Sequence, residues 1–269
     1  MESTPVETTL SIDGTLIAFE RTGSGPPLVL VHGAAGDHRR WDVSGVREAL
    51  ARHHRLYAMD RRGRGESGDG AEYRLELEFE DVAAVVRSID GPVDLLGHSI
   101  GALCALEASL RVENLRRLVL YEPPIPLDGR PLADPELLGR VEDLVLAGER
   151  EKALVMFLRD IAGLGLDEIR ILQAAPSWPG RVAAAHTLPR EERATDGYRF
   201  EPGRFAAMTT PTLLLQGSES DPLYQAATRA VAAALPVCRT VVLEGQKHVA
   251  MNTAPERFVR EVVEFLAGA

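Results

Sequence analysis

Hydrophobic residues along the chain fall into short unbroken runs that end at glycine or proline, and these alternate with longer segments whose apolar positions recur at helical spacing. TTLSIDG and TLIAFERTG flank Asp13-Gly14 and predict an antiparallel hairpin. PLVLVHG is a continuous β-branched run, as expected of a strand buried on both faces. WDVSGVREALA reads as a helix, HRLYAMD as the next strand, and LELEFEDVAAVVRSI as an amphipathic helix. VDLLGHS is again a strand, followed by a helix from Ile100 to about Arg111 and by the strand NLRRLVLYEPP, which stops at paired prolines.

The alternation then breaks. From about Ile125 to Phe205 the chain offers the helical segments PELLGRVEDLVLAG, EREKALVMFLRDIAG and DEIRILQAA, joined by proline-rich connections, and no buried strand. TPTLLLQG restores the strand pattern. A helix from Tyr224 to Leu235, the strand CRTVVLEG and a last helix from Pro255 to Leu266 complete it. Strands alternating with helices predict an α/β fold with a doubly wound, mostly parallel sheet of eight strands and a helical lid inserted after the sixth. The expected division is a core of residues 1–125 and 206–269 with a lid of residues 126–205.

Composition narrows the classes of partner. A formal charge of −10 on 269 residues argues against nucleic acid or an anionic membrane face. The opening MESTPVETTL has no basic region followed by an apolar core, and no apolar run approaches bilayer length. Cys104 and Cys238 are isolated thiols, so a cytoplasmic protein is expected. No His, Cys, Asp or Glu cluster has metal-ligand spacing, and neither metal nor cofactor is expected.

The chemistry concentrates at Gly97-His98-Ser99-Ile100-Gly101, a G-x-S-x-G pattern. Alone the pattern is weak, but here a strand runs into it and a helix starts at the serine. That context lets a serine adopt a strained backbone angle and places it at a helix N-terminus. A nucleophile is therefore favoured over a packing turn. DRRGRGESGDG lacks the lysine-serine pair and the glycine spacing of phosphate loops, and reads as a turn whose arginines pair with carboxylates.

Over nearly its whole length the chain resembles the α/β-hydrolase family, in its serine-nucleophile esterase and cofactor-free perhydrolase-like branch. PLVLVHGAAG is similar to the family's oxyanion strand and loop, DRRGRGES to the turn after its fourth strand, and GHSIG to its nucleophile elbow. GQKHVAMNTAPERF is similar to the segment carrying its histidine. The resemblance implies Ser99 as nucleophile and His248 as base, with serine, acid and histidine in that chain order. The implied acid is Asp221, after the seventh strand, or Glu122, at the end of the sixth; Glu219 is a third candidate. The family's common spacing for the acid falls on Ser220, one residue before Asp221. Backbone N–H groups of Ala34 and Ile100 are the implied oxyanion donors.

Of the seven histidines, His53 and His54 read as solvated, and His38 as a polar loop residue bordering the pocket. His32, Gly33, His98 and His186 are candidate substrate contacts, with Met156, Phe157, Leu164 and Trp178 as candidate lid walls. The expected activity is cleavage of an ester, lactone, thioester or related acyl bond in a small, largely apolar substrate. Perhydrolysis, carbon–carbon bond hydrolysis, lyase or cyclase chemistry, and a non-catalytic ligand receptor are the alternatives the same scaffold implies.

Overall fold

The eight strands are β1 (Val6–Leu10), β2 (Leu16–Thr22), β3 (Pro27–Val31), β4 (Arg55–Met59), β5 (Val93–His98), β6 (Leu115–Tyr121), β7 (Thr212–Gly217) and β8 (Cys238–Leu243). They form one sheet in the order β1-β2-β4-β3-β5-β6-β7-β8 in a computed structural model that describes residues 6–127, 129 and 131–268. β1 and β2 pair antiparallel, as does β2 with β4. Every other neighbouring pair is parallel. Every residue of β5 and β7 is buried, which is why their sequences are unbroken apolar runs.

Helices α1 (Val46–Ala51), α2 (Leu75–Arg87), α3 (Ile100–Ala108), α9 (Pro222–Ala234), α10 (Ala250–Thr253) and α11 (Pro255–Ala267) accompany the sheet. Between β6 and β7 lie α4 (Pro135–Leu146), α5 (Arg150–Met156), α6 (Leu166–Ala174), α7 (Trp178–Ala184) and α8 (Leu188–Asp196). The sequence pattern predicts α4, α5 and α6 but reads SWPG and TLPR as connections. They are instead the starts of α7 and α8, where Pro179 and Pro189 sit in a first turn that has no use for their missing N–H. WDVSGVREALA is also not one helix. Ser44 (φ 58°) and Gly45 (φ 72°) are both left-handed and split it into a 3₁₀ stretch, His38–Gly45, and the short α1.

From β3 the chain winds outward to β4, then returns past β3 to β5 and winds the other way. The reversal leaves a crevice between the carboxyl ends of β3 and β5, the usual place for a ligand in such a sheet. The loop after β3 and the corner after β5 both open there.

The arginine-rich turn after β4 ties this frame to the segment between β6 and β7. Arg61 donates from Nε to Glu78 (2.7 Å) and from Nη2 to Glu191 (2.6 Å), and Arg64 also bonds Glu191. Arg62 is paired with Asp81 (2.7 Å) and Asp13 (2.9 Å). Glu191 is on α8, so two buried core cations depend on one carboxylate from the inserted segment. Glu191→Ala strands both guanidiniums beside Glu78 alone. The expected cost is about 3–5 kcal/mol of unfolding free energy, read as a lowered urea midpoint with an unchanged slope.

Candidate active site

Ser99 caps α3 with φ 56° and ψ −130°, outside the helical and strand regions. Its N–H donates to Tyr121 O at 2.9 Å, pinning the corner to the end of β6. The flanking glycines follow from close approach. A Cβ on Gly97 would run into the Gly101 carbonyl, and one on Gly101 into the carbonyls of Val31 and His32. Ala35 (φ 42°), Ser44, Ser99 and Glu122 (φ 50°) are the non-glycine residues of positive φ among those described. Three of the four are in the loops that end β3, β5 and β6, so the backbone strain is concentrated at one rim of the sheet.

His248 is in the loop after β8 and is held from several sides. Its Nδ1 donates to Glu122 Oε2 at 2.6 Å, so that in the neutral ring Nε2 is the acceptor. Glu122 is fully buried, and its other oxygen accepts the Gly217 N–H at 2.7 Å. The Tyr224 ring stacks on the imidazole, centroids 4.1 Å apart and planes 16° from parallel. His98 Nε2 donates to the His248 carbonyl at 2.8 Å. The Tyr121 hydroxyl donates to Lys247 O and accepts from Ala250 N, bracing the loop on both sides of the histidine.

The acid candidates are thereby separated. Asp221 does not bond His248: it is the N-cap of α9, accepts the Leu223 N–H at 2.8 Å, and lines the cavity apart from the imidazole's Nδ1. Glu219 is exposed in the same turn. Ser220, at the family's common spacing for the acid, is buried with an unpartnered hydroxyl.

Ser99 and His248 line one cavity together with Gly33, Ala34, His98 and Ile100. Among the described residues no hydrogen bond joins Ser99 Oγ to the imidazole. Ile100 is the first residue of α3, so its N–H has no intrahelical acceptor. Phe157, Leu158, Ile161, Leu164 and Leu172 cover the cavity from the inserted segment.

Several expected contacts are elsewhere. His32 has both ring nitrogens engaged by backbone, Nδ1 donating to Gly33 O (2.8 Å) and Nε2 accepting from Arg61 N (3.1 Å). Burial pushes its pKa well below the ordinary histidine value, so it braces the loop as a neutral ring and does not border the cavity. Trp178 turns its N–H to Glu151 (2.8 Å), Met156 packs within the helical layer, and His186 is exposed with Nδ1 on Ala183 O (2.8 Å). None of the three lines the cavity. His38 bonds Asp60 instead of the pocket, and His54 is buried.

Among the cavity residues that the sequence does not mark are Tyr224, Glu191, Glu192 and two buried arginines, Arg40 and Arg181. Arg40 has one signal, its place next to Trp41 just past the loop that follows β3. Arg181 had none, because its helix was read as a connection.

Residues 28–261 match the sequence model of the alpha/beta hydrolase family. A solved alpha/beta hydrolase from Sphaerobacter thermophilus is 37% identical with a TM-score of 0.81, covering 97% of this chain and 100% of that one. A solved esterase from Rhodococcus sp. is 25% identical with a TM-score of 0.80, covering 98% of each chain. A pimeloyl-(acyl-carrier protein) methyl ester esterase from Aeromonas salmonicida is 28% identical over 94% of this chain and 99% of the relative. This chain belongs to the alpha/beta hydrolase family of enzymes.

Proposed function

We propose that the protein is a serine hydrolase that cleaves an ester or related acyl bond of a small molecule through an acyl-enzyme on Ser99. One observation carries the reading: a strained, positive-φ serine at a helix head shares a cavity with an imidazole whose far nitrogen is held by the buried carboxylate of Glu122. The similarity to esterases supports the ester as the bond attacked.

In this mechanism Ser99 Oγ attacks the substrate carbonyl as its proton passes to His248 Nε2. Glu122 keeps Nδ1 protonated and faces the positive charge that the ring then carries. The N–H groups of Ala34 and Ile100 receive the anionic oxygen of the tetrahedral intermediate. The bond to the leaving alkoxide breaks, and His248 gives it the proton. Water then repeats the sequence at the acyl carbon and frees Ser99. The Ser99–His248 hydrogen bond forms as substrate settles, as such bonds often do. The apolar wall from Phe157 to Leu172 takes the hydrocarbon part of the substrate.

A fluorophosphonate probe tests the activated serine. Wild type is expected to be modified at Ser99 within minutes, Ser99→Ala not at all, and His248→Ala about a thousandfold more slowly. Labelling of a folded wild type no faster than that of His248→Ala would end the proposal.

A further inference from the structure

Five arginines are buried among the described residues: Arg40, Arg61, Arg62, Arg64 and Arg181. Those at 61, 62 and 64 are each paired with carboxylates. The other two line the cavity of Ser99 and have no carboxylate partner among the described residues. Nη1 and Nη2 of Arg40 are both shut from solvent with nothing to donate to. Arg181 donates from Nη1 to the Ala35 carbonyl at 3.3 Å, and its Nε has no acceptor. Asp37, the carboxylate whose charge favours Arg181, is already occupied by Arg39, through the backbone N–H at 2.9 Å and Nε at 3.1 Å.

This is not for want of acids, since the chain has 40 carboxylate side chains against 30 lysines and arginines. Burial pushes the Arg40 guanidinium well below its ordinary pKa, and the charge of Arg181 pushes it the same way. Two buried like charges without partners are costly in a closed fold.

The acids of the cavity wall are committed elsewhere. Glu191 serves Arg61 and Arg64. Burial pushes the Glu192 carboxyl up to about 8, with Asp196 and Glu191 adding to the shift, so it is largely protonated at neutrality. Asp221 caps α9. Among the described residues no carboxylate of the cavity wall is bonded to Arg40 or Arg181.

We propose that Arg40 and Arg181 form an oxyanion-group subsite, so that the preferred substrate carries a carboxylate or phosphate near the bond that Ser99 cleaves. The inference rests on the reading of Ser99 as nucleophile and names the substrate class of that same site. Guanidinium groups bind both anions through paired N–H bonds. A cavity volume of about 110 Å³ accommodates a short acyl chain and its anionic end.

The test compares kcat/KM for monomethyl succinate and monomethyl glutarate with methyl butyrate and methyl valerate, which match them in length without the charge. 4-Acetoxybenzoate against 4-methylphenyl acetate places the anion on the leaving side. Wild type is expected to prefer the charged member of at least one pair by about 10- to 100-fold. That ratio should fall to near one in Arg40→Gln and in Arg181→Gln, chiefly through KM. Butyrate and propylphosphonate as competitive inhibitors of methyl butyrate hydrolysis identify which anion is held more tightly. Ratios near one in wild type, or a preference that survives both substitutions, would overturn the proposal.

Should either variant fail to fold, the wild-type ratios and the inhibition by butyrate decide alone, with no preference and no inhibition counting against it. Ser99-dependent turnover without charge preference defeats the subsite and leaves the hydrolase reading standing. An inert Ser99 with butyrate-induced thermal stabilisation that Arg40→Gln abolishes defeats the hydrolase reading alone.

Discussion

Replacing Ser99 by alanine is expected to lower kcat on an aryl ester by a factor on the order of 10⁴ to 10⁶, or about 5–8 kcal/mol of transition-state stabilisation. The substitution removes one oxygen and little else. Its Cβ and the positive-φ backbone remain, and Ser99 Oγ makes no hydrogen bond to the protein among the described residues. Unfolding free energy should therefore stay within about 1 kcal/mol of wild type. Loss of activity with unchanged stability isolates the nucleophile. A folded variant with full activity would mean that the chemistry runs elsewhere.

The eight strands and the Ser99 corner were legible because their signals are local. A buried parallel strand needs an apolar run, and a serine between two glycines at a strand-to-helix junction needs those glycines for close approach. His248 was legible from its place ahead of the last helix. The helical insertion was legible as a break in alternation, but its walls were not. Phe157 and Leu164 face the cavity while Met156 and Trp178 pack away from it, and only the angles between helices decide that. The unpaired state of Arg40 and Arg181 is likewise tertiary, since any acid in the chain was a possible partner.

The acid was the costliest ambiguity, though a local clue lay in the sequence. Asp221 is followed by Pro222, and aspartate before proline is the pattern of an N-cap and the first residue of a helix. What the sequence did not disclose is the φ of 50° at Glu122, which turns its carboxylate inward between the ends of β7 and β8.

Glu122→Gln is accordingly expected to lower kcat by about 10⁴-fold. Its carboxylate bonds two N–H groups at once, from Gly217 (2.7 Å) and His248 (2.6 Å). An amide has one acceptor oxygen, so it satisfies one of them and presents NH₂ to the other. If the oxygen stays with Gly217, the NH₂ faces His248 Nδ1 and favours the tautomer whose Nε2 already carries a proton and takes none from Ser99. If the amide flips, the buried Gly217 N–H is left facing another donor, at a cost of about 1–3 kcal/mol in stability. Asp221→Asn is the matched control, because asparagine caps a helix as well as aspartate does. Its kcat is expected to change by less than about tenfold. Steady-state kinetics on both variants with one aryl ester, beside their urea midpoints, separates the two carboxylates. A large loss at Asp221 with little at Glu122 would reverse the assignment of the acid.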